Sequence, residues 1–338
     1  MSLAPGTNSL ADDHRIIREG AAIGSIQPRR CIAVAGGDRA GYLQGLLTND
    51  VQSLVAGSGC YAAWLTPQGR MLTDMHVLES GDMILMDLPA DQADSTLARL
   101  DQFLFSEDVR LEPLDGRLAG VWVHGPAAAR ALREVAGGQN DAASWPDYGV
   151  ARAALEATAL VVARIDQLGV PGFCVYMPPE AEPDVMAALQ RGGALTVSAE
   201  SLEAARIEAG YPLFGVDMTV ETIPLEAGIE DRAISFTKGC YVGQEVVIRV
   251  LHRGRGRVAK RLVGLRIEAR VPDRGARVFS AEREIGVVTS AARSPSLGPI
   301  ALGYLHREFV EPGTAVQVQV GDVRVPAAVQ ETPGVISP

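Results

Sequence analysis

Lys238-Gly239-Cys240-Tyr241-Val242-Gly243-Gln244-Glu245 sets a cation, a thiol, an aromatic ring, an amide and a carboxylate around two glycines. Glycine lets a backbone turn sharply or approach a neighbour closely. A lysine beside a thiol favours the thiolate, so Lys238 is a candidate for tuning Cys240. The run that follows, 246–250, is Val-Val-Ile-Arg-Val and predicts a β-strand from its branched side chains. On this reading Cys240 sits in a turn just before a strand. The competing reading makes Cys240 a small buried apolar residue, the commonest fate of a free cysteine.

The octet resembles the signature of the YgfZ family, folate-binding proteins implicated in iron–sulfur enzyme maturation. Their fold is that of the glycine-cleavage T-protein, an aminomethyltransferase. Other stretches carry the same resemblance. Residues 36–51, Gly-Gly-Asp-Arg-Ala-Gly-Tyr-Leu-Gln-Gly-Leu-Leu-Thr-Asn-Asp-Val, resemble the N-terminal signature of that superfamily. Residues 205–210, Ala-Arg-Ile-Glu-Ala-Gly, resemble the segment whose glutamate holds the pteridine of folate. Residues 223–228 resemble a scaffold segment leading to the octet, and 286–304 resemble the C-terminal barrel. The likeness spans most of 31–320.

Composition narrows the function classes. At 338 residues the chain has room for two or three domains. A net charge of −10 argues against nucleic-acid or anionic-membrane binding by the surface as a whole. Cys31, Cys60, Cys174 and Cys240 form no C-x-x-C pair, which speaks against a zinc knuckle or a cluster held by one short segment. That usage fits a reduced, cytoplasmic protein. No uninterrupted apolar run reaches membrane-spanning length. His14, His76, His124, His252 and His306 lack paired metal-ligand spacing, and no metal is assigned. Neither a dinucleotide fingerprint, a phosphate-binding P-loop nor a nucleophile elbow is present.

Along the chain, 1–12 is expected to be disordered. A strand at 31–35 leads into a helix capped by Asp38, with Leu43, Leu46 and Leu47 on one stripe. Runs 60–65, 71–78 and 83–88 predict a meander turned at 66–69 and at Gly81-Asp82. A helix over 91–105, capped by Asp91, follows. Strands at 118–124, 159–165 and 173–177 and a helix at 184–190 make a second, similar cycle. From Lys260 the texture changes to short runs at 262–267, 276–279, 285–290, 300–305, 315–320 and 323–329, split by Gly and Pro turns, which predicts a small barrel. The expected fold is therefore α+β. The resemblance makes it a T-protein-like cloverleaf: two interleaved ferredoxin-like α+β subdomains over 13–258, and a C-terminal small β-barrel over 259–338, with a folate site at their junction.

Glu208 falls in the last turn of a helix predicted over 200–209, where a carboxylate opposes the helix dipole. It is either a solvated glutamate or a group in use. The resemblance implies the latter: Glu208 holds the pteridine, whose adjacent N–H donors match a carboxylate. Asp74 is a solvent-facing strand aspartate on its own terms. The resemblance puts it near the carbon-carrying end of folate, although T-proteins carry two successive acids where this chain has Thr73 and Asp74. The same likeness implies tetrahydrofolate as cofactor, places Arg249, Tyr241 and Gln244 beside it, and makes Cys240 the reactive thiol with Lys238 its neighbour. The implied function is an accessory protein whose partners are iron–sulfur enzymes or their assembly proteins. T-proteins lack the cysteine octet, so folate-dependent aminomethyltransferase or demethylase activity stands as the alternative. Finally, 249–261 carries Arg249, Arg253, Arg255, Arg257, Lys260 and Arg261 with no acid. It is either a solvated linker or a patch for an anionic tail or a weak RNA contact.

Overall fold

The structure is a computed structural model that describes residues 8–136, 142–252 and 257–330. The chain divides into two compact units. The first comprises Met1–Trp64, Thr73–Ala199 and Arg232–Val242, and the second Leu65–Leu72, Glu200–Asp231 and Gly243–Pro338.

The first unit holds two sheets. Its strands in chain order are β1 (Ala22–Ile23), β2 (Arg29–Ala35), β3 (Ser58–Leu65), β4 (Met71–Glu79), β5 (Met83–Pro89), β6 (Arg110–Pro113), β7 (Ala119–His124), β8 (Val150–Leu155), β9 (Thr158–Arg164), β10 (Gly172–Met177) and β11 (Leu195–Thr196). One sheet runs β3-β4-β5-β2-β6 and the other β11-β1-β7-β10-β9-β8. The interleaving is visible in β1: it lies between β11 and β7 of the second sheet, yet the chain then leaves to build the first sheet before returning at β7. Leu78 and Leu85 of the first sheet pack with Trp122, Ala163, Cys174 and Tyr176 of the second in one buried cluster. Helix Glu182–Arg191 buries Val185, Ala188 and Leu189 against the other side of the second sheet.

The second unit is built on a closed barrel. Strands β12 (Lys260–Ile267), β13 (Arg277–Ser280), β14 (Arg283–Ser294), β15 (Gly298–His306), β16 (Ala315–Val320) and β17 (Val323–Gln330) close in the order β12-β15-β14-β13-β16-β17. Closure leaves no unpaired sheet edge. Inward residues such as Leu265, Val278, Leu305, Val318 and Val329 fill the interior. Helix Ala199–Glu208 lies on the outside, its Ala204 and Ile207 packed with Leu262, Ile300 and Leu302. The α+β architecture with a C-terminal small barrel is therefore as expected, and each of the six runs predicted after Lys260 is a barrel strand.

Four local expectations are corrected. Residues 246–250 are not a strand but part of helix Gln244–His252. Val247 is 2% exposed, whereas Glu245, Ile248 and Arg249 are exposed, a helical rather than an alternating pattern. Burial of one helical face outweighs the β preference of the branched side chains. Helix Leu10–Glu19 begins inside the stretch expected to be disordered. The Ser9 hydroxyl caps it by accepting from the Asp12 amide at 3.1 Å. Asp38 stands at the N-cap of helix Arg39–Leu46 but makes no side-chain cap bond. Its carboxylate instead accepts from the Asp108 amide at 2.8 Å. Asp91 lies in a 3-10 turn, and the helix proper is Ala93–Asp101. Arg253 and Arg255 of the basic stretch, and 331–338 of the expected barrel domain, lie outside the described residues.

Candidate functional site

In the second unit, Glu208 closes helix Ala199–Glu208 and is half-buried, with its Oε1 buried. Arg206, two residues earlier, fixes this end of the helix. Its side chain is 0% exposed and donates to the Asp217 Oδ2 at 2.8 Å, the Ser290 hydroxyl of β14 at 2.7 Å and the Tyr211 carbonyl at 3.2 Å. Nε donates to Glu203 at 2.6 Å. Asp217 also accepts from the hydroxyls of Thr289 and Ser290. Gly210 then takes φ +67°, a left-handed stop that glycine adopts without strain. Arg206 thus anchors the end of the helix on which Glu208 sits.

In the first unit, Asp74 lies on β4 and is 4% exposed, so the solvent-facing reading is wrong. Its Oδ2 accepts from the Tyr61 hydroxyl of neighbouring β3 at 2.6 Å, while Oδ1 is buried with no hydrogen-bond partner among the described residues. His76, two residues on, shares the face of the strand. It pairs across the sheet with Asp87 of β5, and its Nδ1 lies 3.1 Å from Asp87 Oδ2. The same Asp87 accepts from Arg29 Nε at 2.8 Å and from the Tyr176 hydroxyl at 2.8 Å. Burial pushes the Asp87 carboxyl up, but Arg29 and then His76 and Tyr176 outweigh it and hold the carboxyl at about 2. Burial pulls the His76 imidazole below its ordinary value. A neutral ring donating through Nδ1 to an ionised Asp87 must present a lone pair at Nε2. That Nε2 is buried and has no hydrogen-bond partner among the described residues. Asp74 and His76 therefore offer two orphaned acceptors on one strand face. Buried polar atoms are normally satisfied, so such a pair marks a place where a donor belongs. An N–H donor fits the chemistry of this pair of acceptors.

Lys238 departs from expectation. Its Nζ donates to the carbonyls of Gln44 and Leu47 at 2.7 Å each and of Asn49 at 2.8 Å. These are the carbonyls at and just past the end of helix Arg39–Leu46, where a cation is favoured. All three ammonium protons are thereby engaged, and the ring of Tyr241 lies 5.1 Å from Nζ. Burial lowers the Lys238 ammonium to about 8, opposed by Asp50 and Cys60. The thiol whose titration feels this charge is Cys60, yet burial dominates there and pushes Cys60 up to about 12. Lys238 thus clamps the octet to the helix instead of donating to the Cys240 thiol. Further clamps come from the Thr48 hydroxyl to the Ala233 carbonyl at 2.6 Å and Asn49 Nδ2 to the Arg232 carbonyl at 2.9 Å.

Cys240 itself is exposed, whereas Cys174 is buried and Cys31 and Cys60 are partly covered. Burial raises Cys31 and Cys174 well above the ordinary thiol range. Tyr241 is buried, and burial lifts its phenol to about 12. Gly243, at the start of the second unit, has φ +86°, and a Cβ there would come within 2.5 Å of the Thr66 carbonyl. A Cβ at Gly239 would meet nothing within 4 Å among the described residues. Of the two octet glycines, only the second is demanded by packing. Gln244 opens helix Gln244–His252, on which Arg249 is exposed. Sequence reasoning missed Tyr61, His76 and Asp87. The period-two spacing of Asp74 and His76 was the available signal.

The GCVT N-terminal domain model matches residues 5–238, and the glycine cleavage T-protein C-terminal barrel domain model matches 260–335. An aminomethyltransferase of Bacillus pumilus is 28% identical over 334 residues, covering 96% of this chain and 90% of that protein. One from Rubrobacter xylanophilus is 30% identical over 323 residues, covering 95% and 85%. The crystal structure of glycine cleavage system aminomethyltransferase T from Bartonella henselae superposes with a TM-score of 0.86 at 23% identity, covering 98% of this chain and 90% of that one.

Proposed function

The chain belongs to the glycine cleavage T-protein family, and we propose that it binds tetrahydrofolate and serves as an accessory protein in the maturation or repair of iron–sulfur enzymes. The observation that carries the folate reading is Glu208: a half-buried carboxylate at the closing turn of a helix, held there by the fully buried Arg206. A carboxylate accepts two adjacent N–H donors in parallel, and the pterin edge presents such a pair. On this proposal Asp74 contributes an acceptor, its buried Oδ1.

The accessory role rests on Cys240. It is exposed in a segment clamped by Lys238, Thr48 and Asn49, so the thiol is held out on a fixed loop. A thiol presented in this way is suited to meeting another protein. The test is alkylation. Cys240 should be the fastest of the four cysteines to react, and Cys240→Ser should fold and bind tetrahydrofolate. In a cell lacking the native protein, the same variant should fail to restore iron–sulfur enzyme activity. A slow Cys240 with a fully complementing serine variant would remove the accessory role.

A second reading is favoured by the names of the relatives: aminomethyltransferases align along 95–96% of the chain. On that reading the protein releases ammonia from an aminomethylated lipoyl carrier in the presence of tetrahydrofolate. Thr73 weighs against it, standing where the enzymes carry the first of two acids. Measuring that ammonia separates the two.

A further inference from the structure

The second unit carries a concavity of about 320 Å³ lined by Arg257, Val258, Arg261, Arg307, Glu308 and Val310. Its arginines come from the approach to and start of β12 and the exit from β15. Lys260 pairs with His306 and Arg261 with Leu305 across the β12–β15 ladder, and the Arg307 amide donates to the Ala259 carbonyl at 3.1 Å. The approach to β12 and the exit from β15 therefore run side by side, which brings Arg257 and Arg307 to one hollow although 50 residues separate them in sequence (307 − 257).

The charge balance of the hollow is uneven. Arg261 reaches Glu230 at 3.2 Å. Glu308 faces Arg283 at 3.3 Å and His306 at 3.5 Å. Among the described residues, the guanidinium groups of Arg257 and Arg307 have no partner. Two unpaired cations thus share a concavity with one paired cation and one paired carboxylate, an excess of positive charge in a chain whose net charge is −10. Like charges gathered in one place repel, and a bound anion turns that repulsion into attraction. Guanidinium presents a planar fork that matches phosphate and carboxylate two bonds at a time. Val258 is 8% exposed and Val310 is half-buried, giving the hollow an apolar floor that strengthens charge pairing above it.

We propose that this hollow is a binding site for a small multivalent oxoanion, a phosphoryl group or a short oligocarboxylate. The site is independent of the folate reading: a failed tetrahydrofolate titration leaves it standing. Its volume suits a small anion, and the net charge of −10 on the chain disfavours a long nucleic acid.

Calorimetric titration of the full chain at low salt tests it, with inorganic pyrophosphate and citrate as probes. At least one should bind, and raising the salt should weaken it. Arg257→Gln and Arg307→Gln should each weaken that binding about tenfold or more, with unchanged thermal melts, as expected on losing a charged hydrogen bond. Arg293→Gln, outside the hollow, should leave it unaltered. The tighter probe identifies the source, phosphoryl or carboxylate. No binding of either probe at millimolar concentration would overturn the site, as would wild-type affinity in both variants. Single-stranded RNA that binds equally well to wild type and to the double variant, with no pyrophosphate or citrate binding, would also overturn it.

Discussion

Two buried polar networks differ in one respect. In the second unit, Arg206 donates to Glu203, Tyr211, Asp217 and Ser290, and Asp217 is saturated in turn by Thr289, Ser290 and the Leu213 amide. In the first unit, Asp87 is equally well supplied by Arg29, His76 and Tyr176, but His76 Nε2, and Asp74 Oδ1 on the same strand face, meet no hydrogen-bond donor among the described residues. A saturated network holds a fold together. One that leaves acceptors orphaned carries an unmet cost, which a ligand supplying the donor would relieve.

The contrast can be broken by substitution. Arg206→Leu leaves the fully buried Asp217 without its cation, and a loss of about 3–5 kcal/mol is expected. A denaturant melt checks it, and a loss below about 1 kcal/mol would deny that this network is structural. A pH effect of on the order of 3 kcal/mol comes next. His124 of β7 is fully buried, and burial lowers its imidazole to about 4, against the opposing bond to the Gly24 carbonyl. The unfolded chain binds this proton near 6.5 and the native protein only near 4. The stability is thus complete above about 6.5 and is lost as pH falls toward 4. His76 shifts in the same direction. Urea melts from pH 7 to pH 4 should show the decline, and His124→Asn should flatten it. The smallest effect on stability belongs to Asp74→Asn, which replaces an orphaned acceptor with a donor. Stability should stay within about 1 kcal/mol of wild type, or rise, while tetrahydrofolate affinity falls. A large destabilisation would move Asp74 into the structural class with Asp217.

Legibility in the sequence followed the range of the interactions. The barrel runs alternate and are punctuated by Gly and Pro, so local pattern was enough for β12 to β17. Helix Gln244–His252 was not legible, because Val246, Val247, Ile248 and Val250 prefer strands and only packing reveals the helical face. Glu208 could be singled out by its place at a helix end, but its anchor Arg206 could not, since Asp217 and Ser290 lie 11 and 84 residues away. Lys238 was legible as a charge beside a thiol. Its true partners, the carbonyls of Gln44, Leu47 and Asn49, lie 189 to 194 residues upstream, beyond any local rule. Tyr61 and Asp74 meet only through the pairing of β3 with β4. The basic stretch was visible as charge, but Arg307, which completes the hollow, comes from the far end of β15.

Tetrahydrofolate binding by Glu208 is the claim on which the proposed function depends, and calorimetric titration of wild type beside Glu208→Gln tests it most directly. Wild type should bind, and the variant should bind more weakly by about 1.5–3 kcal/mol, the worth of a charged hydrogen bond, with an unchanged thermal melt. Equal affinity in the two proteins, or no binding by the wild type, would contradict it.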